Sequence, residues 1–145
     1  MSTMTSPSNA SSANDICRAV LESKSSDRVE ISIPGTSYRL QFTPVSPITG
    51  EVGKRILGRV RGRALRLHAA QAGGKFIEPV YGHPRIVQGT ILGYGPRGAS
   101  GDALLVDMAI PVWLSLDAGQ TAGDFPVGTM VNMYVESGMT FEEVR

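Results

Sequence analysis

Cysteine occurs once in this 145-residue chain, histidine twice and tryptophan once, and aromatic residues make up only 6% of it. Each scarcity excludes something. Cys17 alone cannot build an internal disulfide framework, so a reducing compartment is the expectation. No stretch approaches the roughly 18 apolar residues that a membrane span needs, so no membrane partner is expected. The N-terminal Met1-Ser2-Thr3-Met4-Thr5-Ser6-Pro7 has neither the charged nor the apolar region of a secretory signal. The sequon Asn9-Ala10-Ser11 then reads as chance, and the expected location is cytoplasmic.

What the chain does have is glycine, 17 residues of it, beside Val, Ile, Leu and Ala. That mixture favours short strands and tight turns, and the length suits one domain with a real core. Residues 1–12, rich in Ser, Thr and Asn without periodicity, read as a disordered tail ahead of a single domain over 13–145. Asn14 or Asp15 is placed to cap a short helix over 14–24, with Ile16, Ala19 and Val20 on one face. Val29, Ile31 and Ile33, then Pro34-Gly35, then Tyr38, Leu40 and Phe42 predict a β-hairpin. Residues 103–116 carry the cleanest alternation, with Leu104, Val106, Met108, Ile110, Val112, Leu114 and Leu116 on one face and Pro111 marking an edge or bend. Val131, Met133 and Val135 give a last strand, and the tail from Gly138 reads as marginal. About seven strands and one N-terminal helix predict an all-β fold, a small closed or nearly closed barrel, OB-like in architecture.

The densest charge lies in the long strand predicted from Gly53 to Ala70. Alternate residues of a strand share a face, so Arg55, Arg59, Arg61 and Arg63 point one way while Ile56, Val60 and Ala64 point the other. After Ala64 the apolar parity changes to Leu65, Leu67 and Ala69, with Arg66 and His68 turned outward. Such a switch requires a β-bulge, for which Gly62 is the expected place. Residues 54–97 hold nine basic groups against Glu78 alone, a net of +8, whereas residues 98–145 hold seven acidic groups against Arg145, a net of −6. Three readings follow: a basic face for an anionic partner, neutralisation of one segment by the other within the chain, or pairing of the two between subunits.

Motifs for chemistry are missing. Only His68 and His83 are available as bases for Cys17, and nothing places them beside it. His68, His83, Glu78 and Asp107 have no ligand spacing, so no metal is expected. Gly93, Gly95, Gly98 and Gly101 follow a strand but precede another strand, without the helix or lysine of a phosphate loop, so no cofactor is expected. Arg55-x-x-x-Arg59 and Arg59-x-x-x-Arg63 match the R-x-x-x-R element of PilZ domains, six-stranded barrels that bind cyclic di-GMP. No downstream stretch matches their D/N-x-S-x-x-G element, so this five-residue match assigns no family.

The expected function is that of a non-enzymatic barrel acting by association with itself or another protein, through the arginine ladder and Trp113. The alternative is a barrel for single-stranded nucleic acid, with Arg55, Arg59, Arg61, Arg63, Arg66 and Arg97 on phosphates and Tyr81, Tyr94 or Trp113 stacking on bases. No small-molecule ligand is implied. Trp113 is expected either as an exposed anchor beside Leu105 and Tyr134 or as a patch covered by the N-terminal helix.

Overall fold

A computed structural model describes residues 15–71, 73–95, 103–117 and 119–144. The tail over 1–12, the first residue of the 14–24 helix and Arg97 lie outside the described residues. Everything described is strand and turn apart from one 3-10 turn at Ala122–Asp124. No described helix is long and apolar enough to cross a membrane.

The expected barrel is present, and it is organised by one strand. β1 (Cys17–Lys24), β2 (Val29–Ser32) and β3 (Arg39–Pro44) precede the 15-residue β4 (Arg55–Ala69). β5 (Phe76–Glu78), β6 (Tyr81–Gly82), β7 (Ile86–Tyr94), β8 (Ala103–Asp107), β9 (Pro111–Ser115), β10 (Met130–Val135) and β11 (Thr140–Val144) follow. β4, β10, β7, β8 and β9 pair in that order, and β9 returns to β4, closing a five-stranded barrel. The other strands run β1, β2, β3, β11, and both ends of that series also return to β4. β1 and β9 thus follow one another along one edge of β4, and β11 and β10 along the other. β5 and β6 lie off the ring, β5 on β7 and β6 on β3, joining the two halves.

The segment read as a helix is a strand. Cys17, Ala19 and Leu21 are buried and alternate with exposed or half-buried neighbours, and Cys17 to Val20 pair with Gly58 to Arg55. Both periodicities fit so short a run; pairing with β4 decides, because it satisfies the backbone along that edge. The hairpin of β2 and β3 forms as expected, with Ile31 opposite Leu40. The alternation over 103–116 is not one strand but two, β8 and β9, paired around Met108-Ala109-Ile110. Asp107 faces Pro111 across a three-residue turn, so the inward parity survives reversal of the chain and Leu104 still meets Leu114. Ala109 carries a positive φ of 107° at that turn.

The tail read as marginal supplies β11, and its Phe141 is fully buried. Its ring stacks on Phe42 with 6.3 Å between centroids. A Cβ on Gly58 would sit 2.2 Å from the Phe141 ring, so only glycine lets that ring lie across β4. The parity switch in β4 is real, but its place is Leu65 rather than Gly62. Ala64 pairs with Val135 and Arg66 with Tyr134, leaving Leu65 as the extra, exposed residue. Gly62 instead leaves room for Met139, whose Cγ would be 2.7 Å from an added Cβ.

Candidate functional site

The outward face of β4 carries the ladder as the alternation requires, and three of its arginines meet carboxylates. Arg59 Nε donates to Asp15 Oδ2 at 3.1 Å. Arg61 donates to Glu142 Oε1 at 2.7 Å, diagonally across the pairing with β11. Arg63 donates to Asp117 Oδ1 at 2.9 Å and lies 3.9 Å from Glu136. The acids come from the position two residues before β1, from β11, and from the segments just after β9 and β10. Of the three readings of the charge split, neutralisation within the chain is what the pairs of Arg61 and Arg63 with the acidic segment produce, whereas the Asp15 that meets Arg59 lies outside that segment. Lys75 and Asp107 make a further pair of the same kind.

Burial distinguishes the members. The Asp15 side chain is 6% exposed and that of Arg59 28%, whereas those of Arg61 and Arg63 are close to half exposed. Exposed pairs of the latter kind are worth about 0–1 kcal/mol. Asp15 Oδ2 also accepts from Trp113 Nε1 at 2.9 Å, while its Oδ1 is buried with no hydrogen-bond partner. One carboxylate therefore holds an arginine of β4 and the indole of β9 together at the start of β1.

The ends of the ladder differ from its middle. Among the described residues, neither Arg55 nor Arg66 has a carboxylate within ion-pair distance, and both are exposed. Arg66 sits opposite Tyr134, which is 59% exposed and is followed across β10 by Ile86 of β7. The next row is His68, Asn132 and Gln88, with Asn132 Nδ2 donating to Gln88 Oε1 at 3.0 Å.

The aromatic candidates are not brought together. Trp113 is half-buried and held by Asp15, with Gly95 packed close to its ring. Leu105, expected beside it on an exposed patch, is buried. Tyr81 stands on β6 with the Arg39 guanidinium 5.6 Å from its ring centre. Tyr94, at the end of β7, donates its hydroxyl to the Phe125 carbonyl at 2.9 Å. Among the described residues Tyr134 pairs across strands with an arginine that has no carboxylate partner, and its outward parity on β10 was the only signal for it in the sequence.

A second polar cluster lies over β1, β2 and β3. Arg39 bonds Glu30 and lies 3.8 Å from Glu22, whose carboxylate accepts from Ser32 Oγ. Burial opposes ionisation of Glu30, but Arg39, with Tyr81 and Ser23, outweighs it and holds that carboxyl below its ordinary value. Cys17 is sealed in the core, and burial pushes its thiol up to about 12. His68 and His83 are both exposed, and among the described residues no three His, Cys, Asp or Glu side chains converge. No protein-family model matches the chain, nor does any curated protein or solved structure, so geometry alone carries the functional reading.

Proposed function

We propose that the protein is a non-enzymatic binding module that makes a protein–protein contact, first of all with a second copy of itself, through the outer face of β4, β10 and β7. The observation that carries this reading is the exposure of Tyr134 between Arg66 and Ile86 on an open sheet face. Tyrosine and arginine are the residues that interface energetics favour, because each combines apolar area with directed hydrogen bonding. Leu65, 39% exposed at the bulge, adds apolar area beside Arg66. The sealed, single cysteine suits a reducing compartment and supports a cytoplasmic location. The likeness to an OB-fold is one of architecture and carries no ligand with it.

Sedimentation velocity across a concentration series tests the reading. The parent sediments as a reversible oligomer, and Arg66→Glu with Tyr134→Ala sediments as a monomer throughout. An unchanged distribution, or a parent that stays monomeric at every concentration, contradicts self-association.

A second reading has its own support. Arg66, without a carboxylate partner among the described residues, sits opposite an aromatic on which a base could stack. Glu78 and Glu136 lie close by and oppose a polyanion. Salt-sensitive binding of labelled single-stranded RNA that disappears with the same double substitution would favour this reading over the first.

A further inference from the structure

At the other end of β4, a groove of ≈ 350 Å³ is lined by Arg18, Ala19, Ile33, Pro34, Arg55, Ile56 and Leu57. Its size falls within the range of small-molecule sites. Five of these residues are apolar and the other two are both arginines. Arg18 belongs to β1 and Arg55 to β4, and the pairing of Arg18 with Leu57 and Val20 with Arg55 makes the two arginines diagonal neighbours. Diagonal neighbours in a sheet have Cα atoms about 7–8 Å apart, a span that two arginine side chains close on a single oxyanion.

The charge of this pair is uncompensated. Among the described residues no carboxylate lies within ion-pair distance of Arg18 or Arg55. The acids on the surrounding strands are engaged elsewhere. Glu22 serves Ser32 and Arg39, Glu142 serves Arg61, and Glu143 accepts from the Thr49 backbone N–H and hydroxyl. The middle of the same strand shows that carboxylates are supplied where arginines are to be neutralised. Here none is supplied by the described residues, and Lys54 adds a third exposed cation beside Arg55.

We propose that this groove binds a phosphate monoester, its dianionic phosphoryl group held between Arg18 and Arg55 and its short organic body lying on Ala19, Ile33, Pro34 and Leu57. Guanidinium forks match the planar edge of an oxyanion bidentately, and two of them match the charge of a phosphate dianion rather than of a single carboxylate. This site stands on the free amino-end of the ladder and does not depend on the contact surface around Tyr134.

The test is an NMR titration of the full chain with phenyl phosphate, with benzoate as the carboxylate arm. Phenyl phosphate is expected to saturate with shifts confined to β1, the start of β4 and the Ile33–Pro34 turn. Benzoate is expected to bind at least fivefold more weakly. Arg18→Gln with Arg55→Gln is expected to lower phenyl phosphate affinity at least tenfold while the rest of the spectrum is unchanged, since neither side chain has a partner to lose. Absence of saturable shifts up to about 10 mM, far weaker than a functional site, overturns the proposal. So does a double variant that binds like the parent, benzoate binding as tight as phenyl phosphate, or binding of a phosphoserine peptide where phenyl phosphate fails.

Discussion

The middle of β4 and its two ends carry the same residue type in opposite electrostatic settings. Arg59, Arg61 and Arg63 are met by Asp15, Glu142, Asp117 and Glu136, whereas Arg55 and Arg66 meet no carboxylate among the described residues. The middle is where four strands change over along the two edges of β4, from β1 to β9 on one side and from β11 to β10 on the other. Asp15 precedes β1, Asp117 follows β9 and Glu136 follows β10, so the segments that enter or leave these strands bring three of the carboxylates to this stretch, and Glu142 of β11 supplies the fourth. Arg55 is the first residue of β4 and Arg66 lies just past the bulge at Leu65, and among the described residues no carboxylate reaches either. An arginine run that looks uniform is therefore an internal staple in its centre and a pair of free surfaces at its extremities.

Breaking the frame that creates this difference should have the largest effect. Phe141 crosses β4 at Gly58 and stacks on Phe42, which fixes β11 against the first half of the strand. Phe141→Ala is expected to lower unfolding free energy by about 3–5 kcal/mol in denaturant titrations, the cost of removing a fully buried aromatic. A loss under about 1 kcal/mol would mean that β11 is not a part of the core.

The next effect sharpens the middle itself. Asp15→Ala removes the shared acceptor of Arg59 and Trp113, and the expected cost is about 1–3 kcal/mol because both donors lose a largely buried partner. Trp113 is the chain's only tryptophan, so its emission should shift in the native state of the same variant. An emission spectrum identical to the parent's would remove the Asp15–Trp113 bond from the account. The smallest effect compares middle with end directly. Arg63→Ala should cost up to about 1 kcal/mol, and less at high salt, while Arg66→Ala should stay within about 0.5 kcal/mol of zero at any salt. Equal costs and equal salt dependence for the two would erase the distinction.

Much of the frame was legible in the residues. Alternation gave the β2–β3 hairpin, the outward arginines of β4 and the inward faces of β8, β9 and β10, because side-chain parity is a local property of a strand. It failed where parity is silent. Cys17–Lys24 fits a helix and a strand about equally, and only its partner Gly58, 41 residues away, distinguishes them. The 103–116 run hid a hairpin because its three-residue turn preserves parity. The bulge was visible as a parity switch, yet Leu65 and Gly62 could not be separated without the facing residues Val135 and Met139. The segmental charge split predicted that neutralisation was available, but the specific acids come from Asp15, Asp117, Glu136 and Glu142, joined to the ladder only by long-range pairing. Arg18 gave no signal at all, since its relation to Arg55 exists only through the β1–β4 register.

Among the described residues the ladder is neutralised in its middle and unpaired at its ends, and the Nε–H of Arg59, bonded to Asp15, reports on that difference directly. Arginine Nε–H hydrogen-exchange rates can be measured by NMR in the folded protein. Arg59, whose Nε–H is bonded to Asp15, should exchange most slowly, while Arg55 and Arg66 should exchange like an arginine in free solution. Uniform rates along the strand, or an Arg59 as fast as Arg55, would contradict the account.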